Sequence, residues 1–168
     1  MTQPPEPTVR KEMLAGVHRF VCAAKALAGV QRIALLGSIV TDKSNPKDVD
    51  LLVTVSDTMD LARLATCARG LQGRLQGLNH WADVFLADER GRYLGRTCTW
   101  RECRPGIRAS CDALHWGADR ISTTILGTFV CLQRSLPRSP VQLWPQVVRR
   151  CVVPHDVEGL LAALEHAA

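Results

Sequence analysis

Ile33-Ala34-Leu35-Leu36-Gly37-Ser38, followed after nine residues by Asp48-Val49-Asp50-Leu51-Leu52-Val53, is the stretch whose reading decides the fold. The apolar run 33–36 stops abruptly at Gly37-Ser38, as a buried strand does when it ends in a tight turn. Thr41 to Lys47, with Asn45-Pro46 inside it, then reads as a loop. Val49, Leu51, Leu52, Val53 and Val55 form the next strand. Alternation along that strand sends Asp48 and Asp50 out of one face, close enough together to share cations.

Working outward, apolar spacing at Met13, Leu14, Val17, Val21 and Ala24 predicts a helix over 9–28. Residues 1–8, with three prolines, are expected to be a disordered tail. Downstream, Ser56 or Asp57 is expected to cap a helix from about Met59 to Gln76, and Trp81 to Ala87 suits a third strand carrying Asp83. From residue 31 the order is therefore strand, strand, helix, strand. This predicts an α+β (α/β) fold, a small mixed β-sheet flanked by helices.

The length of 168 residues suits a single domain over 9–168, with a core at about 31–88 and a Cys/Arg-rich part at 89–168. In that second part Gly91 to Gly106 reads as irregular, Ile107 to His115 as a short helix, and Ile121 to Leu132 as strand or helix. Pro137 and Pro140 mark a linker, Val141 to Val153 is a mixed apolar stretch, and Asp156 is placed to cap a last helix through Ala163.

If the strand of Asp83 pairs beside that of Asp48 and Asp50, three carboxylates converge at one end of the sheet. Such a set repels itself unless a divalent cation neutralises it, and hard oxygen donors suit Mg²⁺. Two Mg²⁺ ions can serve an in-line displacement at phosphorus. Gly37 lets backbone approach a phosphate closely, Ser38 adds a hydroxyl, and Lys43 and Lys47 lie in the loop between this turn and the acids, where they can neutralise a triphosphate.

Strand, Gly37-Ser38, Asp48-Val49-Asp50 and a later strand with Asp83 together resemble the DNA polymerase β-like nucleotidyltransferase superfamily, and the short chain is similar to its minimal members. The resemblance covers about residues 31 to 88. It implies a nucleotidyltransferase fold, with Asp48, Asp50 and Asp83 as catalytic magnesium ligands, Asp83 also as base, and Gly37 and Ser38 as phosphate binders. It also implies a metal-dependent enzyme that transfers an NMP, by default AMP from ATP, to a hydroxyl with release of pyrophosphate. Minimal relatives include antitoxins that adenylylate a HEPN-type RNase toxin, while others modify small molecules or RNA ends, so the acceptor stays open among protein, RNA and small molecule. Many relatives have an Arg three residues beyond the Ser and a Ser before the first Asp. This chain has Thr41 and Lys47 there, which motivates the alternative of a catalytically inactive binding module for RNA or a protein partner.

Composition sets outer bounds. The net charge of +5 favours a polyanionic partner, and between Arg90 and Arg150 eleven Arg face three acids, which places the positive charge in the second half. Arg96, Arg101, Arg104 and Arg108 surround Trp100 and Trp116, a combination suited to an adenine ring or RNA. Cys98, Cys103, Cys111 and His115 gather four soft or borderline ligands in eighteen residues, a candidate Zn²⁺ site to set against ordinary reduced thiols. Cys22, Cys67, Cys131 and Cys151 sit among apolar neighbours and read as core. The first residues carry no apolar export segment, Lys25 interrupts the nearest apolar window, and seven Cys is an odd number. These features predict no membrane span and a cytoplasmic location.

Overall fold

The computed structural model describes residues 6–97 and 140–167. Helix α1 (Glu6–Ala24) precedes strand β1 (Val30–Leu36), a 3₁₀ turn (Gly37–Val40) and strand β2 (Asp48–Val55). Helix α2 (Leu61–Gln76), β3 (Trp81–Ala87) and β4 (Tyr93–Arg96) follow, and β5 (Val141–Trp144), β6 (Val148–Arg149) and α3 (His155–His166) close the described chain. The strands form one six-stranded sheet in the order β4-β3-β2-β1-β5-β6. β2 and β3 are parallel, joined by the α2 crossover, and every other neighbouring pair is antiparallel. The molecule is thus a mixed α+β structure, with three α-helices and a mixed sheet among the described residues.

Alternation partitions the strands between two faces. Ile33 and Leu35 of β1, Val49, Leu51 and Val53 of β2, and Ala82, Val84 and Leu86 of β3 join Met13, Val17, Leu64, Leu75, Val157 and Leu161 from the three helices in one apolar core. Ala34, Leu36, Leu52, Phe85 and Ala87 form a smaller buried cluster on the opposite face, with Tyr93 packed against it. Asp48, Asp50 and Asp83 share their strand parity with this second set. Facing away from the helices, they escape burial in the main core.

Several boundaries differ from the sequence expectation. Helix α1 begins at Glu6, so part of the expected tail is helical. The cap of α2 is Asp60, whose carboxylate accepts from the Ala62 N–H at 3.0 Å. Ser56 is occupied instead in a turn, donating its N–H to Gly29 and accepting from that of Met59. Pro154 is the N-cap of α3, and the helix runs on to His166. The expected irregular stretch contains β4, because buried Asp88 gathers the N–H groups of Arg90 (3.0 Å) and Arg92 (2.7 Å) into a tight hairpin turn, with Gly91 at φ +77°. Cys151 is exposed rather than core; Cys22 and Cys67 are half-buried. Residues 1–5, the segments expected at 107–115 and 121–132, and Cys131 lie outside the described residues.

One buried cation ties these elements together. The Arg10 side chain, only 10% exposed, ion-pairs through Nε with Asp156 of α3. Its other nitrogens donate to the carbonyls of Ile39 (2.6 Å), Thr41 (3.3 Å) and Lys43 (3.0 Å). Thus α1 and α3 jointly hold the segment between β1 and β2, and Asp156, which also accepts the Val157 N–H in the first turn of α3 at 2.9 Å, is the counter-ion of Arg10. Arg10→Met keeps the packing of the stem but removes the counter-ion of Asp156, which keeps only the Val157 N–H, and the donor of three carbonyls. Its expected cost is about 3 kcal/mol, read as a lower urea midpoint at unchanged m-value; a loss under about 1 kcal/mol contradicts this role.

Candidate active site

The register of β2 with its two neighbours assembles the site. In the parallel pair Asp48 lies beside Trp81 and Asp50 beside Asp83. In the antiparallel pair Leu36, the last residue before Gly37, lies opposite Asp50. Residues side by side on adjacent strands point to the same face, so Asp50 is flanked by Asp83 on one side and by the Gly37 turn on the other.

Gly37 has φ +76°, a conformation that disfavours side chains, and a Cβ there would collide with the Asp50 carboxylate. Glycine is therefore required twice over: for the turn and for the close approach of backbone to acid. Ser38 is half-buried within the 3₁₀ turn, and its carbonyl accepts both the N–H (3.2 Å) and the hydroxyl (2.7 Å) of Thr41. Lys43 and Lys47 are exposed. Their backbone carbonyls are used structurally: that of Lys43 accepts from Arg10, and that of Lys47 from the Trp81 N–H at 3.2 Å.

The electrostatics follow from the crowding. Burial, reinforced by the negative charges of Asp83 and then Asp48, pushes the Asp50 carboxyl up from 3.8 to about 6. Asp83 has a partner in Arg96 of β4, at 3.8 Å. Tyr93, on the same strand as Arg96, is pushed up to about 12 chiefly by burial, with the Arg96 charge opposing and the Asp83 charge adding to the rise. Arg96, in the sequence one of several Arg near Trp100, is thus joined to the carboxylates by the β3–β4 hairpin. Among the described residues no three His, Cys, Asp or Glu side chains form a group that could hold a metal ion. Asp50 lies beside Asp83 in register and near enough to Asp83 and Asp48 to feel both charges, an arrangement more open than a formed metal site.

Burial, and after it the charges of Asp83 and Asp48, raises the proton affinity of Asp50, and hard carboxylate oxygens are the donors a divalent cation takes. Cys98, Cys103, Cys111 and His115, the candidate zinc ligands, lie outside the described residues, as do Trp100, Trp116, Arg101, Arg104 and Arg108.

The family described as "Family of unknown function (DUF6932)" matches residues 2–103. The chain belongs to that family. The matched span runs from α1 through β4 and contains Gly37, Asp48, Asp50, Asp83 and Arg96. No curated protein matches the chain. Among the described residues no helix is long and apolar enough to cross a membrane.

The raised Asp50 pKa has a stability consequence with a definite sign. Between 3.8 and about 6 the folded chain binds a proton more tightly than the unfolded one, so this group's contribution falls as pH rises through that window. Asp50→Asn removes the penalty. In chelator at pH 7.5 the variant is expected to be more stable than the parent by on the order of 2 kcal/mol, with the gap closing below pH 4. Chemical denaturation at both pH values measures this, and a gap independent of pH refutes the raised Asp50 pKa. Gly37→Ala is expected to lose more than about 1 kcal/mol in the same assay.

Proposed function

We propose that this protein is a metal-dependent nucleotidyltransferase that transfers an NMP, with ATP as the default donor, to a hydroxyl acceptor and releases pyrophosphate. The observation that carries the reading is the register setting Asp50 beside Asp83 and across from the Gly37 turn, so that acids and phosphate-accessible backbone meet at one rim. The order β1, Gly37-Ser38, β2 with Asp48 and Asp50, α2, β3 with Asp83 further supports a nucleotidyltransferase fold of the DNA polymerase β-like kind.

In this reading backbone N–H groups of the Gly37-Ser38 turn receive the β- and γ-phosphates, while the space a Gly37 Cβ would fill is taken by the Asp50 carboxylate. Asp48, Asp50 and Asp83 would hold Mg²⁺, which when bound supplies charge neutralisation at the triphosphate. In this reading Asp83, ion-paired with Arg96, takes the proton of the acceptor hydroxyl. The acceptor oxygen bonds to the α-phosphorus as the bond to the β-phosphate oxygen breaks, and its electron pair leaves on pyrophosphate. Lys43 and Lys47 add positive charge at the mouth of the site.

A second reading, a nucleotide- or partner-binding module without turnover, draws on the Asp83–Arg96 ion pair, which already neutralises one acid, and on Thr41 and Lys47 in place of the Arg and Ser of relatives. The partner then is RNA or a protein, such as a HEPN-type toxin.

Labelled ATP with Mg²⁺ and a mixed pool of RNA, protein and polyol acceptors is expected to yield pyrophosphate. Asp48→Ala with Asp50→Ala is expected to reduce that release at least a thousandfold, roughly the scale of lost electrostatic stabilisation at a phosphoryl centre. Release that survives the double substitution rejects the site. Metal-dependent ATP binding without product favours the second reading.

A further inference from the structure

Asp48 belongs to the carboxylate set and also lines a groove of about 800 Å³ at the start of β2 and β3, together with Asn45, Lys47, His80 and Trp81, walled on the helix side by Val9 of α1 and the turn 77–79 after α2. That volume lies within the range of small-ligand sites. The indole is half-buried, and its register position beside Asp48 puts it on the carboxylate face of the sheet. The groove wall is built by the end of α2. Its chain reverses through Asn79 at φ 61°, a conformation Asn tolerates better than most residues, and His80 returns its N–H to the Leu75 carbonyl at 2.9 Å.

The wall is then fastened to the floor. The Lys47 carbonyl accepts from the Trp81 N–H, and His80 Nδ1 lies 3.1 Å from the same oxygen. A carbonyl only accepts, so Nδ1 is the protonated nitrogen, and in the neutral ring Nε2 keeps its lone pair. The groove thus offers a flat aromatic surface, two side-chain amides, a nitrogen acceptor and an exposed ammonium. These match the parts of a nucleotide in turn: base face, base edge, ribose hydroxyl and phosphate.

Position along the rim separates this ligand from a nucleoside triphosphate. Gly37 follows β1 and packs against Asp50, whereas the groove lies at the start of β2 and β3, by Asp48 and Trp81, and reaches round to Val9 of α1. An in-line displacement needs its two substrates on opposite sides of the reacting phosphorus. We propose that the groove is the acceptor site and that the acceptor is a ribonucleotide, either a free nucleoside monophosphate or the terminal residue of an RNA strand. The word acceptor rests on the nucleotidyltransferase reading; ribonucleotide binding in the groove does not.

Calorimetry on the full chain, in chelator and without ATP, keeps the two apart. The probes are AMP, GMP, CMP and UMP, and a short single-stranded oligoribonucleotide with a free 3′ hydroxyl. Trp81→Ala and Lys47→Met are each expected to weaken binding about tenfold or more, while Trp81→Phe retains most of it and Trp144→Phe, on β5, leaves it unchanged. Tighter binding of the strand identifies an RNA end, and equal binding identifies the free nucleotide. Absence of binding, or affinity unchanged in both Trp81→Ala and Lys47→Met when circular dichroism shows them folded, overturns the groove while leaving transfer to another acceptor standing. Groove binding that depends on Trp81, alongside pyrophosphate release indifferent to Asp48 and Asp50, sustains the ribonucleotide site and overturns the transferase.

Discussion

Parallel pairing of β2 with β3 sets Asp50 beside Asp83, and that juxtaposition is unfavourable in isolation: two carboxylates share one partly buried spot with a third nearby. It persists because the same register buries Val49, Leu51, Val53, Val84 and Leu86 on the other face against three helices. Sliding β3 by one residue would relieve the acids but turn those side chains out of the core. Apolar burial of several residues, each contributing roughly 1.5–3 kcal/mol, outweighs the electrostatic penalty at one carboxyl. The core therefore holds in place the crowding that, together with burial, raises the proton affinity of Asp50.

A second constraint keeps the rim in shape. The segment from Gly37 to Lys47 has few apolar anchors beyond Ile39, Val40 and Pro46, and its carbonyls need partners. Arg10 supplies three of them from below, with its charge matched by Asp156 across the molecule. Long side chains from α1 and α3 thus do for this loop what a ladder does for a strand. The Lys47 carbonyl does the equivalent at the other side of the site, joining the loop to the start of β3.

The two ends of the carboxylate row differ in kind. Toward β1 the surface is backbone and glycine, with φ +76° at Gly37 and no room for a Cβ. Toward β3 it is side chain: indole, imidazole and amides around a groove. Arg96 enters from β4 and is shared between Asp83 and the surroundings of Tyr93.

Local pattern was sufficient for much of this. Period-2 and period-3.6 spacing marked β2, β3 and the body of both long helices, and the Asp48-x-Asp50 parity put two acids on one face without any tertiary knowledge, because alternation is a property of the strand itself. The abrupt end of β1 at Gly37-Ser38 was legible for the same reason. Illegible were features created by partners distant in sequence. Asp156, legible as an acid at the start of its helix, gives no sign of the ion pair it also makes with Arg10, far along the chain. Gly91 and Gly95 resemble loop until Asp88 closes the hairpin and β3 offers an edge to pair with. Trp81 is an ordinary strand residue until register sets it beside Asp48. Sequence alone determined which residues could share a face; only the tertiary structure decided which faces meet, because strand register and ion pairing are settled by burial summed over the whole core and not by any single segment.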